Sequence, residues 1–429
     1  MKRKTSNLSK GILLTYMWIF SLSAYNQPIN FTIHIKERCI DMPVSVSVND
    51  LVGNINIDHE TLTLYEITAS GEKIIHSQLE SDYSSRLWFI LEGISAKNST
   101  RKFSLKIQEQ DSLNKLDTGI LIHKSGENLT LDRKGKQILS YRFSTMYPPE
   151  GVSPLFKRSG FIHPLWSPGG EILTRVQAPD HYHHYGIWGP WTLTHIDNRK
   201  VDFWNLYEGE GTVQFAGFLS ETVGDVFSGF RALQQHIDFG AKGEDQIAIN
   251  ETLDVRIWNI NEKVRVIDYT TILNTPLSDG IMLDAYRYGG GIGFRATEKW
   301  TKDNSTVLTS EGKTRIDADG SNARWCIVEG ESDVVEGRSG ILFLSHPSNR
   351  AHPEPMRVWP IDANGGRGDM YFEFTPIRHK SWELKKGNSY VLKYRMIVFD
   401  GKIDKETAEM YWNSFSGIPD IQINQKNKL

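Results

Sequence analysis

Two long alternating runs constrain the fold more than anything else in this chain. Gln246 to Trp258 and Lys263 to Leu273 alternate apolar and polar residues, with the turn-forming stretch Asn259 to Glu262 between them. Period-2 alternation gives an extended strand one apolar and one polar face, so the pair predicts a long antiparallel hairpin whose inner face packs on a second layer. Further alternating segments at Gly340 to Ser345, Asp369 to Phe374 and Tyr390 to Phe399 extend the pattern. Long antiparallel strands with few helical signals predict an all-β protein built on a large two-sheet antiparallel sandwich.

Shorter runs precede it, among them Phe31-Thr32-Ile33-His34-Ile35, Val44 to Val48, Leu87 to Leu91 and Phe103 to Ile107. Strands of about five residues between Asn, Asp, Gly and Ser predict a small N-terminal β-sandwich. The polar stretch Glu109 to Asp117 reads as a linker or an extended hairpin loop. The expected organisation is residues 1–24 as a signal peptide, 25–117 as the small sandwich and 118–429 as the large domain. One short C-terminal helix is expected, capped by Asp404, with Ala408, Tyr411, Trp412 and Phe415 as its apolar stripe and Gly417 ending it.

The N-terminus has the order of a secretory signal. Lys2, Arg3, Lys4 and Lys10 precede an apolar Gly11 to Phe20, and Ser21, Ser23 and Ala24 offer small residues for cleavage. No later stretch is apolar enough for a membrane span, so an exported protein, periplasmic or extracellular, is expected. The 52 acidic and 49 basic residues nearly balance, and no long basic run appears, which argues against nucleic acid as a partner. Cys39 and Cys326 are the only cysteines; an oxidising compartment permits a disulfide between them, and two buried free thiols are an equal alternative.

Chemistry concentrates in Asp180-His181-Tyr182-His183-His184-Tyr185-Gly186-Ile187-Trp188-Gly189-Pro190-Trp191, which holds three of the 13 histidines. Imidazole exchanges protons near neutral pH and binds transition metals. Neighbouring indoles suit a hydroxylated ring. On an extended segment His181 and His183 share one face and His184 takes the other, whereas in a loop His181 and His184 converge. Asp180 is placed to orient an imidazole. His163, in Gly160 to Gly170, and His236 are the further candidate ligands. No carboxylate or third histidine sits at a diagnostic metal spacing, so a metal-free role for the cluster is preferred and the cofactor is left open.

Three other segments supply candidates. Tyr286-Arg287-Tyr288-Gly289-Gly290-Gly291-Ile292-Gly293-Phe294-Arg295 lacks the Lys-Ser/Thr of a phosphate loop. Its glycines permit close backbone approach to a ligand or another strand, with Arg287, Tyr288 and Arg295 available to substrate. The Pro-rich His346 to Pro360 carries His346, Arg350 and Arg357, and Arg suits the carboxylate of an anionic sugar. Asp202, Glu208, Glu210, Glu251, Asp268, Asp284 and Glu373 are candidates for the facing carboxylate pair of a glycosidase. Neither a Gly-x-Ser-x-Gly elbow nor a dinucleotide fingerprint is present, which disfavours serine hydrolases and dehydrogenases.

Phe161-Ile162-His163-Pro164 with Ser167-Pro168-Gly169-Gly170, then Asp180 to Gly186, then Asp202-Phe203-Trp204, resemble the PmoA-like family of secreted bacterial proteins. The resemblance spans roughly Ile138 to Asp400. It implies a β-rich domain similar to the galactose mutarotase-like sandwich, whose superfamily includes epimerases, lyases and glycosidases. Where that family carries Arg after the histidines, this chain has Tyr185. Methane oxidation is excluded, because a membrane oxygenase subunit needs several hydrophobic spans.

Together these features predict an exported carbohydrate-active enzyme, a glycoside hydrolase or polysaccharide lyase, with a glycan as partner. His163, His181, His184 and Tyr288 are the expected catalytic groups. Asp180, His183, Trp188, Trp204, Arg295, His346 and Arg357 are the expected substrate-binding groups. A non-catalytic glycan-binding protein and a His-ligated metal enzyme are the alternatives.

Overall fold

The computed structural model describes residues 28–52, 62–80, 85–107, 119–240 and 244–423. The expected signal peptide, residues 1–24, and the Glu109 to Asp117 segment lie outside the described residues. Within them the chain is all-β and sandwich-like, as the alternation predicts, with a 12-residue C-terminal helix Lys405–Ser416. The Asp404 carboxylate accepts the Thr407 amide at that helix's start. A short helix at Val48–Val52 is an additional element. No helix among the described residues is long and apolar enough to cross a membrane.

The long hairpin forms as Gln246–Trp258 and Val264–Asn274, in a register that pairs Ile257 with Ile267. It lies at the centre of an eight-stranded antiparallel sheet that also holds Gly211–Thr222, Phe227–Asp238, Tyr390–Asp400, Arg338–Ser345, Trp325–Glu331 and Ser305–Thr309. A nine-stranded sheet runs from Ile120–Lys124 through Asn128–Arg133, Lys136–Arg142, Phe161–Leu165, Ile187–Trp188, Ile292–Arg295 and Tyr371–Phe374 to Glu354–Val358 and Asn322–Ala323. The two share one apolar core, in which Phe230, Leu253 and Ile267 of the first meet Ile187, Phe294 and Phe372 of the second.

Near the N-terminus a five-stranded and a three-stranded sheet enclose their own core of Phe31, Ile33, Leu64, Leu87, Phe89, Phe103 and Leu105. The C-terminal strand Asp420–Ile423 pairs antiparallel with Ile29–Ile35, joining the last described strand to the first. Cys39 packs in this small core and Cys326 in the large one; both are free thiols, so the disulfide alternative does not hold.

Alternation on the nine-stranded sheet places the site. Ile162, Ile187, Ile292, Phe294, Phe372 and Val358 point into the shared core. Their neighbours Phe161, Trp188, Tyr371 and Trp359 belong to a separate aromatic cluster with Tyr185, Trp204 and Tyr288. Successive side chains of a strand face opposite ways, so the sheet carries a structural face and a second, aromatic face. The glycine run makes a close approach to protein rather than to ligand. Gly290 has φ +78°, and a Cβ there would lie 2.0 Å from the Trp191 ring.

Two buried carboxylates lie beside this run. Glu373 accepts the Gly289 amide at 2.7 Å and the Tyr371 hydroxyl at 2.8 Å, and burial pushes its carboxyl up to about 8 despite those donors. Glu354, held by Ser345, Asn349 and Tyr394, is pushed up to about 7 by burial. A glutamate is ionised above about 4.3 in an unfolded chain. The unfolded state therefore releases the Glu373 proton first, so the stability this group contributes is full below about pH 4 and is lost as pH rises toward 8. Urea denaturation at a series of pH values should show stability falling across that window. Glu373→Gln, which mimics the protonated acid, should remove part of the slope, on the order of 1 kcal/mol per pH unit at most. An unchanged slope in the variant would show that Glu373 is ionised when folded.

Candidate functional site

The histidine segment folds as the strand His181–Tyr185, paired with Val176–Ala178. The pairing is irregular: Val176 faces Tyr185 while Ala178 faces His181, so the histidine strand carries extra residues opposite its partner. Such a bulge breaks strict alternation and re-aims side chains. The three imidazoles accordingly converge instead of dividing between two faces. Ring centroids lie 5.3 Å apart for His181–His183, 4.7 Å for His181–His184 and 4.9 Å for His183–His184. Gly186 then turns the chain with φ +69° into Ile187–Trp188, and a Cβ there would come within 2.4 Å of the Ile162 carbonyl oxygen.

A charged relay fixes His181 from behind. Asp180 Oδ2 bonds His181 Nδ1 at 2.8 Å and accepts Arg295 Nη2 at 2.7 Å. The same Nη2 donates to Asp369 Oδ2 at 2.7 Å, and the guanidinium lies 4.7 Å from the Trp359 ring centre. Burial raises the Asp180 carboxyl, but the His181 hydrogen bond and the Arg295 guanidinium outweigh it and hold the group well below the usual carboxylate range. Burial lowers His183 to about 3 and His184 well below the ordinary imidazole value, with neighbouring His and Arg295 acting the same way. Both rings are therefore neutral at pH 7.

His184 is fully buried in an aromatic box. Trp204 stacks on it at 5.6 Å, and Tyr371, Trp359 and Trp188 lie 5.1, 5.5 and 5.5 Å away. Neither His184 ring nitrogen has a hydrogen-bond partner among the described residues. An open pocket of about 350 Å³ lies over the cluster. His181, His183 and His184 form one wall with Trp204 and Trp359, while Tyr286, Arg287, Tyr288, Lys200, Asp202 and Asn205 complete it. The Tyr288 oxygen accepts Arg357 Nη2 and Trp359 Nε1, each at 3.1 Å, which leaves its own O–H free to donate.

The structure thus brings together His181, His183, His184, Trp204 and Tyr288, with Asp180, Arg295 and Arg357 immediately behind them. It separates others from the pocket. His163 bonds Thr174 Oγ1 at 2.9 Å, and burial lowers it to about 4; it lines no part of the pocket. His346 bonds Ser348 and packs edge-on against Phe415 of the C-terminal helix. Trp188 is wholly buried, so it supports His184 and offers no face to a sugar. Arg295 is likewise 1% exposed, and its role is to hold Asp180. His236 sits in the large core, paired with Glu251 at 2.8 Å.

The candidate carboxylates also disperse. Asp268 pairs with Arg395 and Asp284 with His195. Among the pocket-lining residues only Asp202 is acidic, and it is engaged structurally: Oδ1 accepts the amides of Trp204 and Asn205, and Oδ2 accepts Thr192 Oγ1, all at 2.8 Å. Sequence pattern alone does not mark Trp359 or Asp369 as site residues. Trp359 was visible at the end of the Pro-rich segment, where an indole beside Arg357 was the available signal. Asp369 has no local signal, since its partner Arg295 is 74 residues away.

No curated protein matches this chain. Among solved structures it is similar to that of a protein in the glycosyl hydrolase family 38 from Enterococcus faecalis, with 10% identity, a TM-score of 0.45, and coverage of 94% of this chain and 48% of that one. The chain spans about half the length of that protein, and a likeness at this level assigns no activity. A family model matches residues 128–413, which include the whole histidine pocket and both large sheets' central strands. By that match, the chain belongs to the family of unknown function DUF6807.

Proposed function

We propose that this protein is an exported carbohydrate-active enzyme of the lyase type, acting on a glycan that carries uronic acid residues. The observation that carries this reading is the make-up of the pocket wall. It offers two half-buried phenols, Tyr286 and Tyr288, for a sugar ring, two cations in Lys200 and Arg287, and a single carboxylate already engaged by three donors. Hydrolysis by a pair of carboxylates needs two carboxyl groups facing the glycosidic bond about 5–9 Å apart. The lining supplies no such pair. Elimination next to a carboxylate needs a cation to neutralise that carboxylate and a group to move a proton. Arg287 and Lys200 fit the first need. Tyr288 fits the second, with its hydroxyl at the wall and two N–H donors holding the oxygen.

In this reaction the C5 proton of a uronate leaves, a C4–C5 double bond forms, and the bond to the 4-linked oxygen breaks. That oxygen then takes a proton. Tyr286, half-buried at the wall, provides an aromatic face for the sugar plane while this occurs, and the largely buried Trp204 and Trp359 back Tyr288. The N-terminal secretory pattern and the resemblance to secreted PmoA-like proteins supply the exported setting of this proposal.

Purified protein incubated with a panel of uronate-containing polysaccharides should yield products with the ultraviolet absorbance of an unsaturated uronate. Tyr288→Phe should lower kcat by roughly 10²- to 10⁴-fold with KM little changed. Arg287→Ala should act mainly on KM. Reducing ends released without that absorbance would replace the lyase by a hydrolase, and saturable glycan binding without product would make the protein a binding module.

A further inference from the structure

We propose that His181, His183 and His184 bind one divalent transition-metal ion at the wall of the pocket, with a coordination position open to substrate. The inference deepens the proposed function by giving its pocket an electrophile, and rests on that reading only for what the open position would meet. Metal binding itself stands on the histidine geometry.

One ligand nitrogen from each of the three residues lies within 4.8 Å of the others. A tetrahedral zinc ion with Zn–N bonds of about 2.0–2.1 Å spaces its nitrogens about 3.4 Å apart. Closing the present spread asks each nitrogen to move inward by less than about 1 Å, a small side-chain rotation. The surroundings match a metal-binding set. Asp180 holds His181 Nδ1, which fixes the ring and turns Nε2 outward, the carboxylate–histidine arrangement that supports metal ligands. Arg295 and Asp369 anchor that carboxylate in turn.

His184 supplies the independent observation. An imidazole with both nitrogens buried and unpaired costs roughly 1–3 kcal/mol per polar group. Packing alone gives no reason to place histidine rather than phenylalanine in a box of Trp204, Tyr371, Trp359 and Trp188. A lone pair donated to a metal gives that reason. An all-imidazole set favours zinc, cobalt, nickel or copper over magnesium or calcium, which take oxygen ligands. All three residues line the pocket, so the remaining position faces the space where a sugar carboxylate or hydroxyl would lie.

Tag-free full-length protein, stripped with a chelator and dialysed, should bind one zinc ion per chain by calorimetry, and zinc should raise its Tm. Cobalt(II) should give the visible absorption of a four- or five-coordinate ion. His183→Gln should weaken zinc binding at least about 100-fold, and Asp180→Asn by about 10- to 100-fold. His184→Phe keeps a ring in the aromatic box and should abolish the cobalt spectrum. If that variant fails to fold, His183→Gln decides, since its side chain is not fully buried. Absence of stoichiometric zinc binding, or binding undiminished in His183→Gln, overturns the inference. Zinc bound here with no turnover of any uronate glycan upholds it while removing the lyase reading. Turnover by a chain that binds neither zinc nor cobalt does the reverse.

Discussion

The buried guanidinium of Arg295 is the interaction on which the site's geometry depends. It ends a central strand of the nine-stranded sheet, is 1% exposed, and bonds Asp180 on one side and Asp369 on the other. One nitrogen thereby ties the rigid sheet to the loop that enters the histidine strand and to the segment before Tyr371. Trp359 covers the guanidinium face. A charge this deep is tolerable only with such partners. Removing Arg295 breaks both buried pairs, at a cost of about 3–5 kcal/mol, whereas losing one carboxylate leaves the guanidinium on the other. Asp180 passes the constraint to His181, so the orientation of that imidazole is set from the sheet and not by the pocket's solvent.

The division of labour between the two sheet faces explains how a β-sandwich carries this site. Ile292, Phe294 and Phe372 fill the shared core, while Arg295 and Tyr371 on the same strands turn the other way. The core under the first face locks these short strands and so places the second. The pocket is then finished by chain segments outside those strands, which bring in Trp204, Tyr288 and Trp359. Placing polar chemistry on the back of a packed sheet keeps the pocket's loops from having to specify it alone.

Much of this is legible in the local sequence pattern. The hairpin from Gln246 to Asn274 follows from alternation, because thirteen- and eleven-residue strands leave little freedom of register once one face is buried. The C-terminal helix follows from Asp404 and its apolar stripe. The histidine cluster was visible because its members are adjacent in sequence. Their convergence was not, since it needs the bulge opposite Val176–Ala178, and pairing irregularities leave no periodic signature. His163 and His346 are histidines of the same chemical type, yet their partners Thr174 and Ser348 give them structural roles that only packing reveals. Arg295 and Trp188 carry the chemistry expected of ligand-facing groups, but burial assigns them to support. Asp369 escaped because nothing near it in sequence marks an ion pair made 74 residues away.

Three imidazoles, one of them held by the Arg295–Asp180 pair, converge at the pocket wall. Diffraction from cobalt-soaked crystals, recorded on both sides of the cobalt absorption edge, tests it directly. A single anomalous peak is expected in bonding distance of His181, His183 and His184, facing the pocket bounded by Trp204 and Tyr288. Density showing the three rings turned apart, or cobalt bound elsewhere and absent from this point, would contradict it.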